Sequence, residues 1–546
     1  MRSQAHRPLR AATMVIVAAM VLAASPVHAV TWVGQGKVYA TEGVTGDRFG
    51  TAVAVDGTTA VVGAPDANDR AGDSGAAYVF VLQGGAWGVQ SRLVAPDGEG
   101  NDAFGTSVAI DGDVAIVGTP EDNGPGNDSG SAYVFRRTGS TWAFEQRITA
   151  PDAGSDDRFG QSVSISGDAV AVGAPEDDFA FFGNTGSAYV FRRTGGVWTF
   201  EEKITAPVTG TSPGDEFGSS VAIDASTVVV GSPRKNVGPS DTGAAFVYTR
   251  PASSWTLQQQ LTATDAAADD RLGASVALSG DTVLAGAPDR DDMGDNAGAA
   301  YVFRREGTTW AQAAKVLAPD GAASDNFGAS VDVDGTYGIA GAFRDDGQGT
   351  IDSGSAWILN GSASWAPMKK LQAFDRAAGD NFGMSVSIAA DLSIGGAPGD
   401  DDLGSNAGSA YFFALDTDED GVPDNIDNCP TVSNPDQKDT DGDGQGDACD
   451  DDDDNDGISD EEEAEHPCMD PLVADADADP DGDGLSNADE INTHDTDPCD
   501  ADSDDDGQRD GYEVSHGSDP NDPASIGTPL GPITLPTPLP IPAPEL

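Results

Sequence analysis

A unit of about 55 residues recurs seven times in this chain, and no other feature constrains the fold as strongly. Each copy begins with Asp-x-Phe-Gly, or once Asp-x-Leu-Gly, and runs through two short apolar stretches into Gly-Ala-Pro or a variant of it. A segment such as Gly-Ser-Ala-Tyr-Val-Phe and a stretch led by tryptophan follow. The copies are spaced by 55, 55, 58, 55, 55 and 55 residues, counted between Phe49, Phe104, Phe159, Phe217, Leu272, Phe327 and Phe382. A fixed period of this length indicates a repeat architecture.

The apolar stretches of each unit have the composition of β-strands. They are short, rich in β-branched and aromatic residues, and bounded by Gly, Pro or Asp. Asp-Gly and Gly-Gly pairs between them supply the positive φ angles that tight hairpins need. Four strands per unit predict one blade of a β-propeller, with the small residues of the first strand near the central axis.

The two ends of the repeat region complete each other. Trp32 precedes Phe49 by 17 residues, as in later units, so residues 31–40 are a fourth strand without its three predecessors. The seventh unit, from Phe382 to Leu415, has three strands and lacks a fourth. The sequence therefore predicts an all-β fold, a seven-bladed β-propeller over residues 30–415 closed by an N-terminal strand. Such a ring buries faces that a single blade exposes and removes free sheet edges.

The pairs Phe159-Gly160 and Gly173-Ala174-Pro175, which recur in register, resemble the FG-GAP repeat of the integrin α-subunit propeller and its bacterial relatives. The resemblance covers about residues 31–415 and implies a seven-bladed propeller used in extracellular recognition or adhesion. One feature departs from that family. Integrin blades that hold calcium have a long Asp-rich loop between their first two strands, whereas the connection here is as short as Asp111-Gly112-Asp113. A turn of this length is too short for the ligands of a 12-residue calcium loop.

An aspartate precedes each Phe-Gly pair or its variant, at Asp47, Asp102, Asp157, Asp215, Asp270, Asp325 and Asp380. These carboxylates are either metal ligands or acceptors for nearby backbone amides, and their recurrence in all seven units favours the structural role. The loops after Gly-Ala-Pro vary most in sequence, which is typical of a recognition surface on a rigid scaffold. One of them carries Phe179, Phe181 and Phe182, interpreted either as a contact patch or as local packing.

The N-terminus has the pattern of a secretory signal. Basic residues precede an apolar run from Met14 to Ala24, and Val27-His28-Ala29 offers a small-residue cleavage site, so residues 1–29 predict a signal peptide. No later stretch reaches 18 apolar residues. We therefore expect a mature chain without a membrane span that is secreted, or associated with the cell surface; an uncleaved anchor is the alternative.

Negative charge is concentrated at the C-terminus, where residues 416–546 carry −40 of the formal net charge of −64. Such a chain repels nucleic acid and attracts cations.

Five windows place carboxylates, or once an amide, at positions 1, 3, 5, 9 and 12 of a 12-residue loop with glycine at position 6. With the backbone carbonyl of position 7, this spacing wraps oxygen ligands around a hard cation. It favours about five Ca²⁺ sites over Mg²⁺ sites or a merely acidic disordered tract. The predicted ligands are Asp416, Asp418, Asp420, Val422, Asp424 and Asp427; Asp439, Asp441, Asp443, Gln445, Asp447 and Asp450; Asp452, Asp454, Asp456, Ile458, Asp460 and Glu463; Asp479, Asp481, Asp483, Leu485, Asn487 and Glu490; and Asp502, Asp504, Asp506, Gln508, Asp510 and Glu513.

All four cysteines lie in this acidic region, and an even count in an exported chain suggests two disulfides. The stretches Asp427-Asn428-Cys429-Pro430 and Gly446-Asp447-Ala448-Cys449-Asp450 closely resemble thrombospondin type 3 repeats, over residues 416–463. Over residues 464–523 the pattern loosens toward variants found in bacterial surface proteins, and the disulfide pairing stays open there. Nearest-neighbour pairing would join Cys429 to Cys449 and Cys468 to Cys499.

Residues 416–523 thus predict an irregular, calcium-organised, disulfide-linked stalk, followed by a Pro-rich tail over residues 524–546.

Residues 31–415 contain neither His nor Cys, which excludes Ser-His-Asp and Cys-His nucleophilic chemistry there, and His-ligated zinc as well. We therefore predict a calcium-binding adhesion or recognition protein that is not an enzyme. Its propeller would bind an extracellular protein or glycan. A secreted polysaccharide hydrolase or lyase on a propeller scaffold is one alternative, and a structural matrix component with calcium as its only ligand is another.

Overall fold

The structure is a computed structural model that describes residues 31–68, 71–178, 183–207 and 212–525. The predicted signal peptide, the patch of Phe179, Phe181 and Phe182, and residues 526–546 of the Pro-rich tail lie outside the described residues. Within the described ranges, no helix has the length and apolar character needed to cross a bilayer.

The repeat region consists of short antiparallel strands. Their bounds are β1 (Thr31–Val38), β2 (Ala52–Asp56), β3 (Thr59–Ala64), β4 (Ala76–Gln83), β5 (Ala86–Leu93), β6 (Ser107–Asp111), β7 (Val114–Thr119), β8 (Ser131–Thr138), β9 (Thr141–Ile148), β10 (Ser162–Ser166), β11 (Ala169–Ala174), β12 (Ser187–Thr194), β13 (Val197–Thr205), β14 (Val221–Asp224), β15 (Thr227–Ser232), β16 (Ala244–Thr249), β17 (Thr256–Leu261), β18 (Ser275–Ser279), β19 (Thr282–Ala287), β20 (Ala299–Glu306), β21 (Thr309–Val316), β22 (Ser330–Asp334), β23 (Tyr337–Ala342), β24 (Ser355–Asn360), β25 (Ala366–Leu371), β26 (Ser385–Ala389), β27 (Leu392–Ala397) and β28 (Ser409–Asp416).

These strands form seven sheets of four strands each, which we number as blades. Blades one to six are β2–β5, β6–β9, β10–β13, β14–β17, β18–β21 and β22–β25, each paired in chain order. Blade seven has the order β26-β27-β28-β1, so the N-terminal strand completes it. The predicted seven-bladed propeller with N-terminal closure is confirmed.

Closure joins the first and last parts of the propeller through backbone and side chains. β1 runs antiparallel to β28, with Thr31 opposite Asp416. On the inner strands, the hydroxyl oxygen of Ser385 in blade seven accepts a hydrogen bond from the N–H of Val53 in blade one at 2.9 Å. The ring is therefore held shut both by a shared sheet and by a direct bond between the inner strands.

The Phe-Gly and Gly-Ala-Pro motifs lie where neighbouring blades touch. Phe159 is fully buried. Gly160 has a φ of 99°, and a Cβ atom there would lie 2.3 Å from the carbonyl oxygen of Ser131 in blade two. A Cβ on Gly173 would lie 2.0 Å from the carbonyl oxygen of Gly218. Both motif glycines are required because backbones of adjacent blades approach too closely for any side chain.

The seven aspartates that precede the Phe-Gly pairs have one structural role. Each is buried, and each accepts a hydrogen bond from the backbone N–H three residues earlier at 2.5–2.9 Å. The carboxylate thereby fixes the turn that leads from one blade to the next. The structure agrees with the structural interpretation of these residues.

The C-terminal region, residues 416–525, has little apolar core; Ile458, Met469 and Ala476 form a small buried cluster. Its helices are short: α1 (Asp460–Glu465), α2 (Asn487–Asp489) with a π-helical continuation (Glu490–His494), and α3 (Asp510–His516). Two disulfides join nearest neighbours, Cys429–Cys449 and Cys468–Cys499. Covalent links and turns, rather than a hydrophobic core, organise this region.

Candidate calcium-binding loops

The five acidic windows fold into loops with one backbone conformation. We call them loops one to five: residues 416–427, 439–450, 452–463, 479–490 and 502–513. The glycine at position 6 has φ between 94° and 108° in all five, a range that glycine adopts without strain. Position 4 is also left-handed, with φ between 58° and 79°, at Glu419, Gly442, Asn455, Gly482 and Asp505. The position 6 turn was predicted from the sequence and the position 4 turn was not, although Gly, Asn or Asp at four of these five positions indicates it.

A ladder of hydrogen bonds holds the first carboxylates of every loop. The position 1 carboxylate accepts from the glycine N–H at position 6, at 2.8–3.2 Å. Position 3 accepts from the N–H of position 5, at 2.9–3.2 Å. Position 5 accepts from the N–H of position 7, at 2.7–3.1 Å, and the donors are Val422, Gln445, Ile458, Leu485 and Gln508. The backbone thus orients three carboxylates per loop.

These carboxylates converge. In loops one, two and three the side-chain oxygens of positions 1, 3 and 5 come within 4.8 Å of one another. In loop three a second group of the same dimension joins Asp456 and Glu463 to Asp475, which lies outside all five windows. Asp475 was not predicted from the sequence, because its place beside Glu463 depends on how the chain turns back after α1.

The residue at position 12 divides the loops into two kinds. In loops three, four and five this residue is a glutamate: Glu463, Glu490 or Glu513. Each glutamate is at most 1 % exposed. Each lies in a helical turn that begins at position 9 or 12 of its loop. In loops one and two it is Asp427 or Asp450, and no helix follows. A longer side chain on a helix and a shorter one on a turn are two ways to bring a carboxylate back to the start of the loop.

Position 9 behaves differently from the other predicted ligands. Asp424, Asp447 and Asp510 accept hydrogen bonds from the backbone N–H and the hydroxyl of the position 2 residue, which is threonine or serine. Asp460 accepts from the N–H of Asp453 at 2.9 Å. Position 9 therefore braces the loop entrance. In an EF-hand loop, position 9 often reaches the cation through a water molecule.

Many oxygens of the predicted ligands are buried without a hydrogen-bond partner among the described residues. They belong to Asp416, Asp418 and Asp427 of loop one, Asp452, Asp454 and Glu463 of loop three, Asp481, Asn487 and Glu490 of loop four, and Asp504 and Glu513 of loop five. Loop two is more exposed and has none. Buried carboxylate oxygens are costly unless a cation or a donor balances them. The oxygen-only donor set of these loops fits a hard divalent ion such as Ca²⁺.

The raised pKa values of two loop glutamates also fit a bound cation. Burial, reinforced by the nearby carboxylates of Asp454 and Asp456, raises the pKa of Glu463 to about 8. Burial beside Asp481 and Asp483 raises the pKa of Glu490 to about 8. Each pKa rises because negative charge is crowded together out of water. A bound divalent cation would reverse this repulsion and keep both glutamates ionised at neutral pH.

A further group of possible ligands, His466, Asp497 and Cys499, lies near α1. Cys499 is joined to Cys468, so its sulfur is not a free thiolate. This group therefore lacks the sulfur ligand that would suit zinc.

The chain matches known repeat families over most of its length. Seven segments match the FG-GAP repeat, at residues 32–80, 87–135, 142–191, 198–248, 255–303, 310–359 and 365–413. Residues 414–437 and 438–462 match the thrombospondin type 3 repeat, and residues 479–501 and 502–523 match the bacterial TSP3 repeat. Both resemblances found in the sequence are confirmed, including the change of repeat type within the acidic region. No curated protein matches the chain.

Proposed function

The chain belongs to the FG-GAP repeat family, and from this premise we propose that it is an extracellular calcium-binding recognition protein. In this proposal the propeller binds a protein or glycan outside the cell. The C-terminal loops bind about five Ca²⁺ ions, which order the stalk.

One observation carries the calcium proposal: four of the five loops contain buried carboxylate or amide oxygens without a hydrogen-bond partner among the described residues. Metal bonds would satisfy these oxygens and replace the missing hydrophobic core. Binding and ordering of the stalk would then be one event. Extracellular calcium modules bind with Kd on the order of 10⁻⁴ to 10⁻³ M, so the stalk would respond to calcium outside the cell. Two disulfides fit that oxidising location.

The recognition role rests on the loops between the second and third strands of the blades. Large apolar side chains stand exposed on three equivalent loops: Met293 in blade five, Ile351 in blade six and Leu403 in blade seven are 44, 65 and 46 % exposed. Exposed apolar side chains grouped on a rigid ring are typical of surfaces that contact a partner.

Calcium titration of the full-length chain by calorimetry, with limited proteolysis in parallel, tests the stalk. We expect saturable uptake of about five ions and rapid cleavage within residues 416–525 after chelation. A chelated sample that resists protease as well as the calcium-loaded one would remove the structural role of calcium.

Recognition is tested by binding of the calcium-loaded chain to a panel of extracellular polysaccharides and matrix proteins. Saturable binding to a component of the panel supports the proposal, and binding to none contradicts it. We propose no catalytic role, since residues 31–415 lack His and Cys. Release of new reducing ends or unsaturated sugars from the same polysaccharides would contradict that part.

A further inference from the structure

Two positions of the repeat form ion pairs on one face of the propeller. The first is the residue between Asp and Phe of Asp-x-Phe-Gly, and the second is the residue after Gly-Ala-Pro. Blades one, three and five place arginine at the first position and a carboxylate at the second, with separations of 3.5, 3.2 and 3.0 Å for Arg48–Asp66, Arg158–Glu176 and Arg271–Asp289. Three of the seven blades thus hold a neutral pair of this kind.

The other four blades lack this pair. Blade two has Ala103 and Glu121 at the two positions and blade seven has Asn381 and Gly399, so neither has an arginine there, whereas blades four and six place an arginine at the second position. In blade four the charges are exchanged, with Glu216 at the first position and Arg234 at the second, 3.1 Å apart. In blade six the first position is Asn326 and the second is Arg344, so the position paired with this arginine holds an amide and not a carboxylate. The proline of Gly-Ala-Pro is also replaced, by Phe343.

Arg344 shares its nearby carboxylate with two other side chains, because Asp289 interacts electrostatically with both Arg271 and Arg344. The carboxylate of Asp289 in the neighbouring blade is already shared: Arg271 lies 3.0 Å from one oxygen, and the Asn326 amide donates to the other at 3.1 Å. The Arg344 guanidinium lies over the Phe343 ring, 5.1 Å from its centroid. Among the described residues it forms no ion pair and no side-chain hydrogen bond, and the residue is exposed.

The two second-position arginines, Arg234 and Arg344, line one open cavity of about 440 Å³ between blades four, five and six. Three arginines face it, Arg234, Arg271 and Arg344, against the two carboxylates of Glu216 and Asp289. This surplus of positive charge stands out in a chain with a net charge of −64. Proline, alanine and the Phe343 ring supply apolar surface beside the charges. A cavity of this size falls in the range of small-ligand sites, which are about 300–1,000 Å³.

We propose that this cavity binds the carboxylate of an anionic sugar, a uronate residue of a polysaccharide, with Arg344 as its main anchor. A guanidinium pairs with a carboxylate through two parallel hydrogen bonds, and Arg344 has all its donors available among the described contacts. Phe343 lines the cavity beside Arg344 and adds apolar surface that a sugar ring can contact. A protein partner would instead need about 800 Å² of contact surface per side, which a cavity of this kind does not provide. The proposal rests on the recognition role of the propeller and names the ligand class.

The test is calorimetric titration of the full-length, calcium-loaded chain with trigalacturonate, with its methyl ester as the uncharged control. We expect binding that weakens at least about tenfold for the ester and for Arg344→Gln. Arg304→Gln is the matched control, because Arg304 is an exposed arginine of blade five outside the cavity. It should leave the affinity unchanged. Since Arg344 is exposed, its substitution should also leave the melting temperature unchanged.

Several results would overturn the proposal. Equal affinity of Arg344→Gln and the parent chain would do so, and so would equal binding of the ester and the free acid. If pentaglutamate bound as tightly as trigalacturonate, the cavity would recognise charge alone and not a sugar. A chain that binds other components of the polysaccharide and protein panel, yet no trigalacturonate, contradicts this assignment while leaving the recognition role intact. A chain that binds nothing contradicts both.

Discussion

Thr417 donates two hydrogen bonds to Asp424, one from its backbone N–H and one from its hydroxyl, each 2.6 Å long and each to a different carboxylate oxygen. The pair ties position 2 of loop one to position 9 and closes the loop around positions 3 and 5. The same brace recurs in loops two and five, where Thr440 and Ser503 bond Asp447 and Asp510. Position 9 therefore prearranges the loop for the proposed cation, which the other carboxylates would approach directly.

Thr417→Val should weaken calcium binding at loop one, because it removes the hydroxyl donor and keeps the shape of the side chain. A hydrogen bond to a charged acceptor contributes about 1.5–3 kcal/mol, and partial exposure here favours the lower end. We expect a rise of about tenfold in the Kd of one site, measured by calorimetry. Thr431→Val, an exposed threonine outside the loops, is the control. An unchanged Kd for Thr417→Val would mean that the brace does not prearrange the site.

Loop one should also couple calcium to the stability of the propeller. Asp416 is both its first predicted ligand and the last residue of β28, where it lies opposite Thr31 in the closing blade. All eight tryptophans lie within residues 31–415, so their fluorescence reports on the propeller alone. At calcium tenfold above Kd, one site stabilises the fold that binds it by about 1.4 kcal/mol. Asp418→Asn in loop one should abolish this gain in denaturant unfolding followed by tryptophan fluorescence.

The matched variant for this coupling is Asp504→Asn, which changes the same position 3 in loop five. It should lower the number of bound ions without altering the tryptophan transition. If both variants shift that transition equally, or neither does, the first loop is not coupled to closure of the ring.

Glu463 should be essential for one calcium site. Both of its carboxylate oxygens are buried without a partner among the described residues. We expect Glu463→Gln to raise the Kd of loop three at least about tenfold, since affinity in such loops follows the count of charged ligands. Glu461→Gln changes an exposed residue of the same helix and should bind calcium as the parent does. Calorimetry of the two variants side by side makes the comparison, and equal uptake by both would exclude Glu463 as a ligand.

The features that could be predicted from sequence are those that depend on local backbone geometry and repeat spacing. Glycine at position 6 of the loops and in Phe-Gly reports a positive φ, which few other residues adopt. The count of strands before Phe49 and after Phe382 was enough to predict how the ring closes. Spacing was enough to group the carboxylates at positions 1, 3 and 5.

The missed features depend on contacts between distant parts of the chain. Asp475 joins Glu463 only because the chain turns back after α1. In loop four, position 2 is Pro480, which has no N–H to donate, and position 9 is Asn487 instead of aspartate. The Asn487 amide donates to Asp475 at 3.0 Å instead. The sequence shows that Pro480 and Asn487 both depart from the pattern. The reason became clear only from the hydrogen bonds between positions 2 and 9 in the other loops.

The turn aspartates of the propeller should give its stability a dependence on pH. Burial, with smaller contributions from the nearby carboxylates of Asp345 and Asp400, raises the pKa of Asp325 and that of Asp380 to about 6. Because these values exceed the unfolded value of about 3.9, the folded chain holds more protons than the unfolded chain between about pH 4 and pH 6. Stability contributed by these two groups is therefore present in acid and is lost as the pH rises through this window.

Asp380→Asn should remove one of these two contributions, since the amide oxygen can still accept the hydrogen bond from the Ala377 N–H and carries no charge to bury. The free energy of unfolding of the variant, relative to the parent, should rise by up to about 3 kcal/mol between about pH 4 and pH 7. Denaturant unfolding followed by tryptophan fluorescence measures this difference, and contributions from the acidic stalk cancel in the comparison. Asp295→Asn, on an exposed loop, controls for the loss of one negative charge. A relative stability of Asp380→Asn that stays flat or falls with rising pH would mean that the buried turn carboxylate is not the source of the pH dependence.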